Sequence, residues 1–296
     1  MNGNGELTGS HWIEETGLLT LPIGLTNSHA VGTVHRGIID WVVARKPEIA
    51  RDWLLPMVGE TYDGDLNDIN GRHISEAHAV EALDNATSSA PAEGNVGGGT
   101  GMVCYEFKGG SGTASRVVPF GSDSFVLGAF VQANFGTREE LVISGVPVGE
   151  SLHDDLPQPS TRPPGGGSVI VVLATDAPLL PGQCKALARR VPLGLARTGT
   201  AGSHFSGDIF LAFSTANAET MTAGYSERPV AGTYDSLRYV PWSHMDPFLT
   251  AAVRAVEEAV VNALCAARTM VGRDGYTVTE LPRGAVVELL HQSGRM

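Results

Sequence analysis

The residues best placed for chemistry lie in the run Thr198-Gly-Thr-Ala-Gly-Ser-His-Phe-Ser206-Gly-Asp-Ile-Phe-Leu-Ala-Phe-Ser-Thr215. Small, flexible residues lead up to Ser206 and an apolar strand follows it. The hydroxyl is thus set at the edge of a rigid sheet, beside a loop able to bend sharply. A serine so placed suits nucleophilic catalysis when a base lies within reach. Taken alone, the pattern is shared with many serines that merely precede strands. Other groupings fail on spacing. Asp63-Gly-Asp65-Leu-Asn67 resembles the opening of a calcium loop, but Asp68 stands where that loop needs glycine and Ile74 where it needs its closing Glu. A turn whose Asx side chains cap their own backbone is the plainer reading. The run Gly97-Gly-Gly-Thr-Gly-Met102 matches neither the dinucleotide fingerprint nor the phosphate loop. The 9 histidines contain no HExxH and no close pair, so neither a metal site nor a cofactor is expected.

These groups need a scaffold. Val31, Val34, Ile38 and Val42 fall at helical spacing, so residues 27–45 read as a helix closed by Pro47. Further helices are expected over 75–86, 179–190, 247–270 and 281–291. The helix over 247–270 has Asp246 as its cap and Pro247 at its first position. Apolar runs at 125–134, 140–143, 169–174 and 208–213 read as strands. Residues 94–101 and 108–116 are rich in Gly, Ser and Thr. Residues 151–168 hold four prolines and three consecutive glycines, and read as a surface loop. Helices and strands mix without a clean βαβ rhythm, which favours a layered α/β sandwich.

Composition narrows the function. The chain has 296 residues, with 20 Lys+Arg against 32 Asp+Glu, a formal net charge of −12. Such an acidic chain without a basic stripe is not expected to bind nucleic acid. No apolar run reaches the roughly 18 residues that a membrane span needs. The start of the chain, Met1-Asn-Gly-Asn-Gly-Glu6, lacks the pattern of a signal peptide. Three separated cysteines, Cys104, Cys184 and Cys265, suggest a reducing, cytoplasmic setting. Glycine supplies 37 residues, nearly double the usual share of about 7%, so its concentration in a few stretches needs a cause.

Several blocks, in order along nearly the whole chain, resemble the DmpA/BapA family, peptidase family S58. This is the group of L-aminopeptidase D-amidase/D-esterases and β-peptidyl aminopeptidases. The blocks are Asn2 to Gly9, Pro22 to His29, Glu60 to Asn70, Gly97 to Met102, Phe107 to Arg116, Ala174 to Leu179 and Ser206 to Thr215. The resemblance implies a four-layer α/β/β/α sandwich of the N-terminal-nucleophile-hydrolase kind, as one domain over 1–296. It implies that a precursor cuts itself before a catalytic Ser or Thr. By match to the Ser-Gly-Asp block that residue is Ser206, giving chains 1–205 and 206–296. The freed α-amine, of reference pKa about 7.7–8.0, would serve as base to its own hydroxyl.

The remaining site residues follow from the same resemblance. The family's Asn-Tyr-Gly motif falls on Asn134-Phe135-Gly136, so the phenol is replaced by Phe135. An oxyanion Asn has its counterpart near Thr175-Asp176, and an ionised Asp176 cannot donate. A Ser-Met-Glu-Pro-like segment matches His244-Met245-Asp246-Pro247. Asp246 is then the partner of the Ser206 amine or hydroxyl, compatible with its role as a cap. His244 either replaces the family's serine hydrogen bond or is a bystander. Phe205 stands before the nucleophile where the family has Gly or Asn, which would slow self-cleavage. Gly99, Gly101 and Gly207 are expected against the substrate. The activity implied is release of N-terminal residues from short peptides, amides or esters, by an oligomer, a tetramer of αβ units. The alternatives are a truncated, uncleaved and inactive member, since Met1 falls directly on a family block, and a nylon-oligomer-type amidase.

Overall fold

The computed structural model describes residues 3–157, 166–218, 220–221, 232 and 234–296. Its helices are α1 (Ser10–Thr16), α2 (Val31–Arg45), α3 (Glu76–Asp84), α4 (Pro181–Ala188), α5 (Val191–Ala196), α6 (Asp246–Ala266) and α7 (Arg283–Gln292). The strands are β1 (Ile23–Asn27), β2 (Met57–Thr61), β3 (Val103–Cys104), β4 (Phe107–Lys108), β5 (Gly110–Phe120), β6 (Asp123–Asn134), β7 (Gly167–Thr175), β8 (Ser206–Ser214), β9 (Met270–Val271) and β10 (Thr277–Val278).

Four layers result. The central sheet runs β5-β6-β7-β8, antiparallel except for the parallel pair β7–β8. On one face lies α6, which packs on β5 and β6 and buries Ala251, Ala252, Ala255, Ala259 and Ala263 in the core. Alanine brings helix and sheet close together. A Cβ on Gly112 of β5 would lie 2.0 Å from the Ala259 carbonyl oxygen, so the strand must also be small there. The other face meets the parallel pair β1–β2, where Gly59 lets Ile170 of β7 approach. Beyond β1 and β2, the apolar stripe of α2 (Val31, Val34, Ile38, Val42) packs with Val58 and with Ala79 of α3. The order helix, sheet, sheet, helix is the sandwich expected above.

Most expected elements form within a few residues of their reading. The expected helix over 27–45 begins instead with β1 and one 3-10 turn before α2. The expected strand over 140–143 is a 3-10 turn followed by an isolated bridge between Ile143 and Val146. The Gly/Ser/Thr-rich stretch 108–116 is the start of β5. Helix α6 starts at Asp246 itself, with Met245 in the capping position, and it ends at Ala266 rather than running to 270. Residues 158–165 of the expected surface loop lie outside the described residues.

Candidate active site

The register of the central sheet gathers polar residues at one end. Gly167 pairs with Ser206, Ser168 with Gly207 and Val169 with Asp208, while Asn134 of β6 pairs with Ser168. Neighbours across strands share a face, and alternate residues along one strand share a face. Ser168 and Asn134 therefore face the β1–β2 layer, and Ser206 and Asp208 face the opposite side. Both serines are buried, at 3% exposure each.

On the Ser168 face, Asn134 is fully buried. Its Oδ1 accepts from the Val103 N–H at 2.9 Å, which leaves Nδ2 to donate to the Tyr62 carbonyl at 2.8 Å and to Ser168 Oγ at 3.2 Å. An amide oxygen held by an N–H fixes which end of the amide is the donor. Nearby, buried Gln132 donates to Thr61 Oγ1. Buried Glu60 accepts from the Glu6 N–H at 3.0 Å and from the Ser28 hydroxyl.

On the other face, Ser206 Oγ donates to Asp208 Oδ1 at 2.5 Å. Burial pushes the Asp208 carboxyl above its ordinary pKa, and the Ser206 hydrogen bond opposes that shift. The pair lines a cavity of about 110 Å³ with Phe135, Thr200 and Ser203. The Phe135 ring packs edge-on against Tyr105, with centroids 5.2 Å apart. The N-terminal segment crosses this strand end. Asn4 Nδ2 donates to the Phe205 carbonyl at 2.7 Å, and a Cβ on Gly207 would lie 2.3 Å from the Asn4 carbonyl oxygen. The Phe205 side chain is half exposed.

The structure therefore brings Ser206, Gly207, Asn134 and Phe135 to one sheet end. It does not bring Asp176, His244 or Asp246 there. Ser206 and Ser214 begin and end β8, eight steps or about 26 Å apart. Thr175 pairs with Ser214, so Asp176 sits at the far end, exposed, accepting from the Val126 N–H at 2.7 Å. His244 packs edge-on against Phe120 at 5.8 Å, at the far hairpin of β5 and β6. Asp246 opens α6, whose Phe248 packs on Phe120 and Phe125 at that same end. The expected partnership of Asp246 or His244 with Ser206 is corrected accordingly. Gly99 and Gly101 lie in close packing, and Gly101 also lines the cavity between β1, α2 and α3. A Cβ on Gly99 would meet the Ser111 nitrogen at 2.4 Å, and one on Gly101 would meet the Asp63 Cβ at 2.7 Å.

Ser168 was not anticipated from the sequence. Its signal is present all the same: three glycines, a serine, then the apolar run Val169 to Ala174. That is the arrangement that singled out Ser206.

Solved structures place this architecture in the Ntn hydrolase class. The L-aminopeptidase D-Ala-esterase/amidase of Ochrobactrum anthropi, described as a prototype of the serine aminopeptidases and a variant of the Ntn hydrolase fold, superposes with a TM-score of 0.90. It is 47% identical, over 100% of this chain and 80% of its own. A β-aminopeptidase of Burkholderia sp. superposes at 0.89 with 45% identity, over 99% of this chain and 80% of its own. The β-peptidyl aminopeptidase BapA of Sphingosinicella microcystinivorans is 45% identical over 307 aligned positions, 100% of this chain and 75% of that protein. The Peptidase family S58 model matches residues 1–278, and the chain belongs to that family of aminopeptidases.

Proposed function

We propose that this hydrolase cleaves its own chain between Gly167 and Ser168, and that Ser168 rather than Ser206 is the nucleophile. The observation that carries the reading is the Asn134 Nδ2 donor 3.2 Å from Ser168 Oγ, with glycine directly before the serine. Only glycine fits at 167, since a Cβ there would lie 2.2 Å from the Asn134 carbonyl oxygen. Glycine also tolerates the bent conformation an N-to-O acyl shift needs, which Phe205 before Ser206 does not. Ser206 meanwhile has its hydroxyl proton committed to Asp208.

Cleavage frees the Ser168 α-amine, whose reference pKa of about 7.7–8.0 lets it take the hydroxyl proton near neutral pH. Strand β8 runs one strand spacing, about 4.8 Å, from the Ser168 main chain. In this reading the Ser206–Asp208 pair receives and orients the new ammonium, a role its position on the adjacent strand supports. Ser168 Oγ attacks the scissile carbonyl, and Asn134 donates to the oxygen on which negative charge develops. The amine leaves with the proton held by the Ser168 α-ammonium. Water then hydrolyses the acyl-enzyme, with the α-amine again as base. The relatives support short peptides, amides or esters with a free amino terminus as substrates, β-amino residues included.

N-terminal sequencing and intact mass of purified protein test the reading. A new chain beginning at Ser168 is expected, and Ser168→Ala should remain whole while Ser206→Ala is processed slowly. A chain beginning at Ser206, or normal processing of Ser168→Ala, would overturn it.

A further inference from the structure

A second cavity, of about 630 Å³, opens between β1, α2, α3 and the Gly97–Gly101 run. That volume lies within the roughly 300–1,000 Å³ of small-molecule sites. Its walls are apolar, among them Ile23, Leu25, Ile38, Ile74, Leu83 and Met270. Two of its polar residues share an unusual feature. Asn27 is nine-tenths buried and its Oδ1 has no hydrogen-bond partner; the buried Asp63 Oδ1 has none either. Both residues line the cavity.

The two amides beside the carboxylate are already spent. Asn27 Nδ2 and Asn67 Nδ2 both donate to Asp63 Oδ2, at 3.4 and 2.9 Å. This also fixes the Asn27 amide, because turning it over would set its oxygen against the carboxylate. Two acceptors are left over, and one belongs to an acid. An unpaired buried acceptor is costly, so such a pair calls for a ligand that brings donors and positive charge. Among the described residues no lysine or arginine lines this cavity. The basic side chains among its lining residues are His73 and His78, and His78 Nδ1 is bonded to Ser75, so a permanent positive charge would be brought by a ligand.

We propose that this cavity binds a primary ammonium group carried on an apolar body, the ammonium donating to Asp63 and Asn27 and the body filling the aliphatic walls. The site adjoins the serine cluster through one residue, since Tyr62, directly before Asp63, gives its carbonyl to Asn134. Two sources share this chemistry: the amino end of the hydrolysed substrate, which rests on the function proposed above, and a separate amine acting on the enzyme.

Calorimetric titration with 4-phenylbutylammonium tests the site, with 4-phenylbutanol as the uncharged counterpart. Titration of Ser168→Ala protein as well keeps binding apart from turnover, so failure of the proposed hydrolysis does not affect the readout. The amine should bind at least tenfold more tightly than the alcohol, and Asp63→Asn should weaken it at least tenfold. Ala82→Trp is the second variant, because Ala82 is exposed at the cavity wall and a large ring there plugs the space without touching Asp63. It too should abolish binding. Competitive inhibition of peptide hydrolysis supports the substrate's amino end as the source, and non-competitive inhibition supports a separate amine. No binding at millimolar amine, equal binding of the alcohol, or full affinity in Ala82→Trp overturns the proposal.

Discussion

Asn134 decides how much of the chemistry depends on one side chain, and Asn134→Asp is the sharpest way to ask. The substitution keeps shape and keeps the oxygen that accepts from Val103 N–H at 2.9 Å. It removes the NH₂ group that serves both the Tyr62 carbonyl, at 2.8 Å, and Ser168 Oγ, at 3.2 Å. With no exposure at this position, an ionised carboxylate would be buried beside two oxygens, so the new acid is held protonated. A protonated acid has one hydrogen to give, where the amide gave two. Whichever acceptor it serves, the other loses its donor. Loss of one donor to a developing oxyanion lowers kcat by about 10²–10³, or about 3–4 kcal/mol. A Tyr62 carbonyl left unpaired would cost about 1–3 kcal/mol of stability. In the mechanism proposed above, chain cleavage and peptide hydrolysis both pass through an oxyanion, so both rates should fall by the same order. The assay is the time course of processing by intact mass, with kcat and KM of the processed fraction on an aminoacyl p-nitroanilide. Urea melts check that the fold persists. Processing and kcat within about threefold of the parent protein, with no loss of stability in the urea melts, would refute the assignment of Asn134 as donor to the reacting centre.

Two further predictions concern the scaffold. Lys108 is wholly buried, and its ammonium donates to the carbonyls of Gly99, Met102 and Gly109 at 3.2, 2.8 and 2.8 Å. Lys108→Met should cost about 1–3 kcal/mol in urea melts at pH 9.5, because the carbonyls lose the buried neutral amine that donates to them. Burial lowers the Lys108 pKa from 10.5 to about 7, so between those values the unfolded chain holds one more proton than the folded one. Stability of the parent therefore rises with pH across that window, and its lead over Lys108→Met should widen from pH 6.5 to 9.5; a constant lead contradicts the burial argument. Gly112→Ala drives a Cβ to 2.0 Å from the Ala259 carbonyl oxygen, which should separate α6 from β5 and cost about 3 kcal/mol. Gly32→Ala in α2 meets nothing within 4 Å and should instead stabilise by about 0.5–1 kcal/mol, so similar melts for the two variants would refute the packing account.

The elements that could be read from sequence were those that carry their own periodicity. Helices α2 and α6 show apolar residues at helical spacing, and β6, β7 and the latter part of β8 are continuous apolar runs. Strand β5 was not legible, because its first half, Gly110-Ser-Gly-Thr-Ala-Ser115, has neither bulk nor alternation. Its conformation comes from β6 on one edge and from α6 lying directly on its small side chains, and no local propensity records either contact. Likewise the apolar run at 140–143 has the composition of a strand but finds no partner strand, so it folds as a turn and a bridge.

The site shows the same division between pattern and register. Ser206 and Ser168 each follow a flexible glycine-containing approach and precede an apolar strand, and sequence offers no ground for ranking them except the residue before each. That residue is Phe205 in one case and Gly167 in the other. What separates their roles is pairing. A parallel register that sets Gly167 opposite Ser206 turns the two hydroxyls to opposite faces. One then meets an amide donor from β6, and the other meets the carboxyl two residues along its own strand. A shift of one residue in that pairing would exchange the faces and with them the chemistry. The Ser-Gly-Asp spacing that marked Ser206 thus keeps a physical meaning, because alternate residues on a strand share a face and can bond to each other. That spacing identifies a hydroxyl held by an acid. In the mechanism proposed above, the attacking hydroxyl is the one on the neighbouring strand, held at its oxygen by a donor and preceded by the only residue the backbone there can accept.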